Sequence, residues 1–251
     1  MTFNFLVAPD FPPDRFSGWY MFNTLLQRRS AIGIHLLMPA DRAEQEAMLA
    51  EKEVDLVYAT PFDAAALVRG QGYRALARPA GGADEMVIAT AADSALACVE
   101  DLKPGASIAL TGNIDVKLIG LRLLEPADLT EADIQWHVAD SYQAVARQVL
   151  SGQVDAGFFL ADAFHSFSRL TLSRMKVLVE SQLRDISHVL LSHPRIDADL
   201  AVLGEALLAI RGEDDAGAAE VLDALGFNQG FEAMDAEDVE FMIDLMDTLR
   251  D

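Results

Sequence analysis

Six carboxylates, Asp10, Asp63, Asp84, Glu85, Asp115 and Asp162, stand at or just beyond the ends of short apolar runs. A carboxylate placed there can accept hydrogen bonds from a cationic or hydroxyl-bearing ligand, or from the unbonded N–H groups of a helix's first turn. Asp63 and Asp115 suit the second role, because each falls where a helix should start. Few cations accompany them, Arg15 and Lys117 being the candidates. Aromatic residues gather at the same places: Phe11, Trp19, Tyr20, Tyr58, Phe62, Tyr142, Phe158 and Phe159. Apolar walls with a few convergent polar groups describe a small-molecule pocket. Tyr58, Phe62, Tyr142 and Phe159 are expected in such a wall, whereas Trp19 and Phe158 fall inside a helix and a strand and are expected in the core.

Other chemistries find no support. His35, His137, His165, His188 and His193 show neither HxxxH nor HExxH spacing, and His188 draws notice only by its place late in the chain. The lone Cys98 has no second cysteine for a disulfide, a CxxC metal site or a redox pair, and is read as a structural thiol. No GxSxG, P-loop or GxGxxG run occurs. No cofactor and no metal are therefore expected, and no residue is assigned a catalytic role.

The elements that must position these residues follow from periodicity. Apolar runs rich in Val, Ile, Phe and Tyr alternate with helix-period segments, the pattern of parallel strands joined by crossover helices. Strands are expected over 3–8, 34–38, 55–59, 75–79 and 86–90, then over 107–110, 134–139, 156–160, 177–179 and 187–191. Helices are expected over 16–28 and 42–52, the second opened by Asp41 with Glu44 in a capping-box arrangement, and over 116–124, 142–150 and 161–175. Gly152 stands where a helix should end. Beyond 196 the periodicity is helical throughout, over 198–210, 216–224 and 236–249. The segments Val54-Asp55-Leu56-Val57-Tyr58 and Val154-Asp155-Ala156-Gly157-Phe158 repeat about one hundred residues apart, each followed by an Asp-Ala pair. Any two βα units can share this texture; the sharper reading is two similar α/β lobes, each offering the C-terminal ends of its strands to a ligand.

Charge and length bound the partners. The chain has 251 residues, 40 acidic against 19 basic side chains and a formal net charge of −21. That excess disfavours nucleic acid and anionic membrane surfaces. A hydrophobic fraction of 51% supplies a packed core, and no apolar run reaches the length of a membrane helix. Residues 196–251 alone carry a net charge of −14, an acidic surface for solvent or a partner rather than a statement about ligand charge. The N-terminus has no basic region and only a short apolar stretch, which reads as cytoplasmic, or as periplasmic if a leader has been trimmed.

Several stretches resemble one family. Val54-Asp55-Leu56-Val57-Tyr58-Ala59-Thr60-Pro61, Leu76-Ala77-Arg78-Pro79 with its Gly-Gly turn, Val99 to Gly105, Ser141 to Gly157, His193-Pro194-Arg195-Ile196-Asp197 and Leu222 to Phe227 are similar, in order and spacing, to the phosphonate- and phosphite-type periplasmic solute-binding proteins of ABC transporters. The resemblance implies an α/β fold of the two-lobed periplasmic-binding-protein kind (type II), each lobe a mostly parallel sheet flanked by helices. Residues 1–85 with 190–251 would form one lobe and 86–189 the other, with two crossing segments as hinge. By position it implies ligand contacts from Asp10, Phe11, Tyr58, Thr60, Pro61, Phe62 and Glu85, and from Thr111, Asn113, Asp115, Tyr142, Phe159 and Asp162. The sequence departs from the family at the anion loop. A Ser-Thr-Ser-Gly type run is replaced by Thr111-Gly112-Asn113-Ile114-Asp115, with one hydroxyl and an added carboxylate, which argues against simple phosphonates.

The reading is thus a small organic solute bound by hinge closure in a sensor, carrier or transport component. Its partners would be a small-molecule ligand and an ABC permease or a signalling protein, with a monomeric chain and no membrane insertion. The alternative is a cytoplasmic enzyme on the same fold, as in menaquinone- or thiamine-precursor biosynthesis, with Asp162, Asp115 or Glu85 as acid or base. A pure protein-interaction role follows from the acidic tail.

Overall fold

The computed structural model describes residues 2–212, 216–227 and 229–250. In chain order the first elements are β1 (Thr2–Val7), α1 (Phe16–Ser30), β2 (Gly33–Leu37), α2 (Arg42–Glu51), β3 (Leu56–Ala59), α3 (Pro61–Gln71) and β4 (Arg74–Pro79). Then come β5 (Met86–Ala91), β6 (Ser107–Leu110), α4 (Ile114–Leu123), β7 (Gln135–Val138), α5 (Tyr142–Leu150), β8 (Ala156–Leu160), α6 (Ala161–His165), α7 (Arg169–Leu172) and β9 (Met175–Glu180). The chain ends with β10 (Val189–Ser192), α8 (Leu200–Leu208), α9 (Ala216–Leu225), β11 (Phe231–Ala233) and α10 (Ala236–Arg250). These elements pack as two compact units, Met1–Ala83 with Asp185–Asp247, and Asp84–Arg184 with Thr248–Asp251. Among the described residues no helix is long and apolar enough to cross a membrane.

The first unit is built on a sheet of order β11-β4-β10-β3-β1-β2, and the second on β7-β6-β8-β5-β9. Within the first, β2, β1 and β3 run parallel and β10 is antiparallel to both β3 and β4. Within the second, β7, β6 and β8 run parallel and β5 is antiparallel to both β8 and β9. Apart from β11, which adds antiparallel to β4 at the edge of the first sheet, the two sheets share one topology: three parallel strands, one reversed strand, then one restored.

The repeated Val-Asp segments hold equivalent places, leading into β3 and β8. Asp55 accepts the Asn4 N–H at 2.7 Å and Asp155 the Ser107 N–H at 2.7 Å, while each aspartate's own N–H donates to the carbonyl of that same neighbour at 2.9 Å. Asp55 also accepts from Arg195 Nε at 2.6 Å, and Asp155 from the Ser107 hydroxyl at 2.7 Å. The repeat is a device for fixing the register at which the third strand joins the first.

Strand alternation decides which face each residue joins. Phe3, Phe5 and Val7 of β1, Leu56 and Tyr58 of β3 and Leu190 of β10 pack with Trp19, Phe22, Leu25 and Leu26 of α1 and with α8 and α9. Leu6, Val57, Ala59, Val189 and Leu191 face the other way, onto Ala64 and Leu67 of α3 and Val239, Met242 and Ile243 of α10. A sheet covered on both faces reads as continuous apolar runs, as these strands do. In the second unit Gly120 lets α4 approach β8 so closely that a Cβ there would stand 2.2 Å from the Phe158 ring.

Three features differ from the periodicity. Helix α3 carried no clear amphipathic signal, because Pro61, Asp63, Ala64 and Leu67 are all buried around its first turns. The helix expected over 161–175 is two short helices, broken where the Ser168 hydroxyl caps α7 by accepting the Thr171 N–H. The tail is not wholly helical: β11 pairs antiparallel with β4, because Phe231 fills the core beside Phe22 and Phe227. Asp41 does open α2, accepting the Glu44 N–H at 2.9 Å, while Glu44 reaches back to Ala40 N at 2.6 Å. Gly152 follows α5 at φ +70°.

Candidate functional site

In a parallel strand-helix unit, the strand's C-terminal end and the next helix's N-terminus lie at one sheet edge. In the first unit that edge carries two groups of side chains. One joins Asp10 and Phe11, beyond β1, to Tyr58 at the end of β3. His188, which enters β10, is held here: its Nε2 lies 3.0 Å from each Asp10 carboxylate oxygen, and its ring stacks on Tyr58 at 5.0 Å and 19°. Trp19 packs on Tyr58 at 4.6 Å and on Phe11 at 6.1 Å. The Asp10 and His188 side chains are 12% and 9% exposed, so the carboxylate has an internal cation or N–H donor as partner and is not an open acceptor.

The second group surrounds the start of α3. Thr60 is the N-cap and accepts the Asp63 N–H at 3.2 Å; Pro61 follows at N1, where a missing N–H costs nothing. Asp63 stands in the first turn and not at the cap. Its carboxylate is buried and accepts from Gln45 Nε2 at 2.5 Å and Arg42 Nη2 at 3.0 Å. The Arg42 guanidinium lies over the Phe62 ring, 5.4 Å from its centroid.

In the second unit the edge is formed by the N-termini of α4 and α5. Asn113 caps α4, accepting the Val116 N–H at 3.0 Å, and Thr111 Oγ1 accepts the Asn113 N–H at 3.4 Å. Asp115 is a first-turn residue, 3% exposed. Ser141 caps α5, and Tyr142, its first residue, is buried with its ring 6.3 Å from Phe159. Glu85 accepts from the Ser181 hydroxyl and from the Arg184 N–H at 2.9 Å, which ties both ends of the inserted segment together. Asp162 is exposed in the first turn of α6, whose Ala161 N–H donates to the Glu85 carbonyl at 2.8 Å.

The expected residues thus fall into separate clusters. Asp10 and Phe11 are linked to Tyr58 through His188 and Trp19; Thr60, Pro61 and Phe62 form a second group; Thr111, Asn113 and Asp115 a third; Tyr142 and Phe159 a fourth. Phe159 is fully buried, enclosed by Tyr142, Phe164 and Phe167 of its own unit, so its ring supports a wall instead of forming one. Of the expected cations, Lys117 is engaged by Glu131 and lies over Trp136. Arg15 packs its guanidinium against the backbone of Gly226.

Sequence reasoning did not select Arg42, His188 or Trp19 for the site. For Arg42 a signal existed: it follows the N-cap Asp41 in the turn after β2, the same edge as the start of α3. Among the described residues no group of three or more His, Cys, Asp or Glu side chains could hold a metal ion. A bond with Glu100 and then burial push the Cys98 thiol up, the opposite of a reactive thiolate.

A family model described as the periplasmic substrate-binding protein of phosphonate ABC transporters matches residues 5–239. A search of curated proteins found no match. Among solved structures, PhnD1 from Prochlorococcus marinus in complex with methylphosphonate is similar with a TM-score of 0.83 at 12% identity, covering 99% of this chain and 98% of that one. A binding-protein component of an ABC phosphonate transporter from Pseudomonas aeruginosa gives 0.78 at 16% identity, with 99% and 86% covered. The periplasmic aliphatic sulphonate binding protein SsuA from Escherichia coli gives 0.67 at 17% identity, with 99% and 87% covered. At these identities the likeness shows the fold, that of the two-lobed periplasmic binding proteins. The enzyme alternative draws no support from any of them.

Proposed function

The chain belongs to the family of periplasmic substrate-binding proteins of phosphonate ABC transporters, and we propose that it takes up a small organic solute other than a simple phosphonate, by hinge closure about its two crossing segments, and delivers it to a permease. Small-solute binding follows from the family; the ligand, the closing motion and the contact residues are the proposal. The observation that carries it is the repeated topology, which brings capped helix N-termini and polar loop residues to the C-terminal strand edge of each unit. Contacts are assigned to Phe11, Tyr58, Thr60, Pro61, Phe62 and Glu85 and to Thr111, Asn113, Asp115, Tyr142 and Asp162. Phe159 backs Tyr142. Asp10 acts through His188, which it orients.

Against simple phosphonates stand the single hydroxyl of Thr111 and the buried Asp115 in the first turn of α4. A dianion would meet that carboxylate at a cost of several kcal/mol. Periplasmic residence follows the family's setting, and recovery of the native protein in the cytoplasmic fraction would overturn it. The test of binding is thermal-shift screening of metabolites, with mass spectrometry of any ligand that copurifies. A ligand recovered unchanged, whose stabilisation is lost in Tyr142→Ala, supports the reading. No shift with any solute, in protein of normal stability, refutes it.

A further inference from the structure

We propose that Arg42 is the oxyanion-recognition residue of the first unit, aimed by the buried Asp63–Gln45 pair and seated on Phe62, so that the solute carries an acidic oxygen group directed at that guanidinium. This rests on the solute-binding reading and adds a residue to it; an oxyanionic group is what the family's own description already names.

The topology places the residue. Strands β2 and β3 flank β1 and run parallel to it, so the N-termini of α2 and α3 open at one sheet edge. Arg42 is the first residue of α2, and Phe62 and Asp63 are the second and third of α3. Both helices have at least ten residues, and their dipoles add positive potential where the guanidinium stands.

The donors can be counted. A guanidinium has five N–H groups in a planar fork. Nε faces Glu46 Oε1 at 3.0 Å, and one Nη2 hydrogen is used by Asp63 Oδ1 at 3.0 Å. The two Nη1 hydrogens and the second on Nη2 have no partner among the described residues, and they form the end of the fork that grips an oxyanion with two parallel bonds. The side chain is 30% exposed, accessible to a solute yet held on one face by Phe62.

The neighbouring carboxylates do not cancel this. Glu46 is 62% exposed, and an exposed pair of this spacing is screened by water and weak. Asp63 shares its charge between two donors, accepting from Gln45, itself 2% exposed, on one oxygen and from Arg42 on the other. A carboxylate fixed in this way orients the arginine more than it neutralises it.

The test titrates the full chain, by thermal shift and calorimetry, with three anionic probes, methylphosphonate, ethanesulfonate and succinate. Dimethyl methylphosphonate is the uncharged control and ethanolamine the cationic one. Ethanesulfonate or succinate should bind and methylphosphonate should not, and Arg42→Gln should weaken the bound anion by about 10- to 100-fold, the worth of a hydrogen bond to a charged group. Arg42→Lys should recover part of the loss, because it restores charge without the fork. Asp63→Asn should weaken anions less than Arg42→Gln, and its effect should vanish in the Arg42→Gln background. Equal anion affinity in Arg42→Gln and the parent, with unchanged melting temperature, overturns the inference and leaves the solute-binding reading standing. Binding of ethanolamine or the neutral ester alone does the same. If neither these probes nor any metabolite binds, the solute-binding reading itself fails.

Discussion

Replacing Asp55 and Asp155 singly by alanine tests whether the two Val-Asp segments do the same work at different depths. Asp55 is 7% exposed and accepts two bonds, from Asn4 N–H at 2.7 Å and from Arg195 Nε at 2.6 Å. A buried acceptor bonded to a charged donor contributes about 1.5–3 kcal/mol, and the orphaned Asn4 N–H adds about 1 kcal/mol. Because the Arg195 side chain is 32% exposed and can turn to water, its term belongs at the low end, which gives about 2.5 kcal/mol in all for Asp55→Ala. Asp155 is exposed and accepts only from Ser107, through its N–H and its hydroxyl, both 2.7 Å, so Asp155→Ala should cost about 1 kcal/mol. The two tryptophans make the assay specific, since Trp19 lies in the first unit and Trp136 in the second. Urea unfolding followed by fluorescence in a Trp136→Phe background reports the first unit, and in a Trp19→Phe background the second. Asp55→Ala should lower the Trp19 midpoint clearly and Asp155→Ala the Trp136 midpoint slightly. Asp55→Asn, which keeps an acceptor for the Asn4 N–H, should recover about 1 kcal/mol. Equal losses at the two sites, or a larger loss at Asp155, would refute the claim that burial and the Arg195 pair set the difference.

Two further outcomes follow. Gly120→Ala should destabilise the second unit by about 1–3 kcal/mol, because the new methyl overlaps the Phe158 ring at 2.2 Å; a Phe158→Leu change in the same chain should recover part of it, and a neutral Gly120→Ala in urea unfolding would show the contact to be compliant. His193 accepts the Arg195 N–H on Nδ1 at 3.1 Å, and burial, then the Arg195 charge, lower its pKa from 6.5. Below the unfolded pKa the unfolded chain binds the proton more readily, so stability present above about pH 6.5 should decline as pH falls, and His193→Gln should flatten that decline in unfolding curves from pH 5 to 8.

Much of the architecture was legible in local pattern. The strands could be read because β3, β8 and β1 from Phe5 onward are buried on both faces and must be apolar, and the cap at Asp41 and the left-handed Gly152 act within a few residues of themselves. Helix α3 was hard to see for the converse reason, being buried around its first turns and therefore without a polar stripe. Strand β11 has three residues and exists because β4 offers it an edge and the core has room for Phe231. At the site the residue types were visible, whereas their states were not. Asp10 looked like an open acceptor until His188, 178 positions away, was found on it. Phe159 looked like a wall until Phe164 and Phe167 were found around it.

Composition and spacing by themselves determined an α/β chain of two repeated parts, acidic mainly beyond residue 196, with polar and aromatic residues collected where strands end. These are consequences of period, capping and charge, which act over a few residues. Tertiary structure decided which carboxylates are already engaged and which cation stands between Asp63 and the Phe62 ring. Arg42, Gln45, Phe62 and Asp63 meet only because two parallel strands, one on each side of β1, deliver their helices to the same edge, and that adjacency is a property of the sheet and of no segment within it.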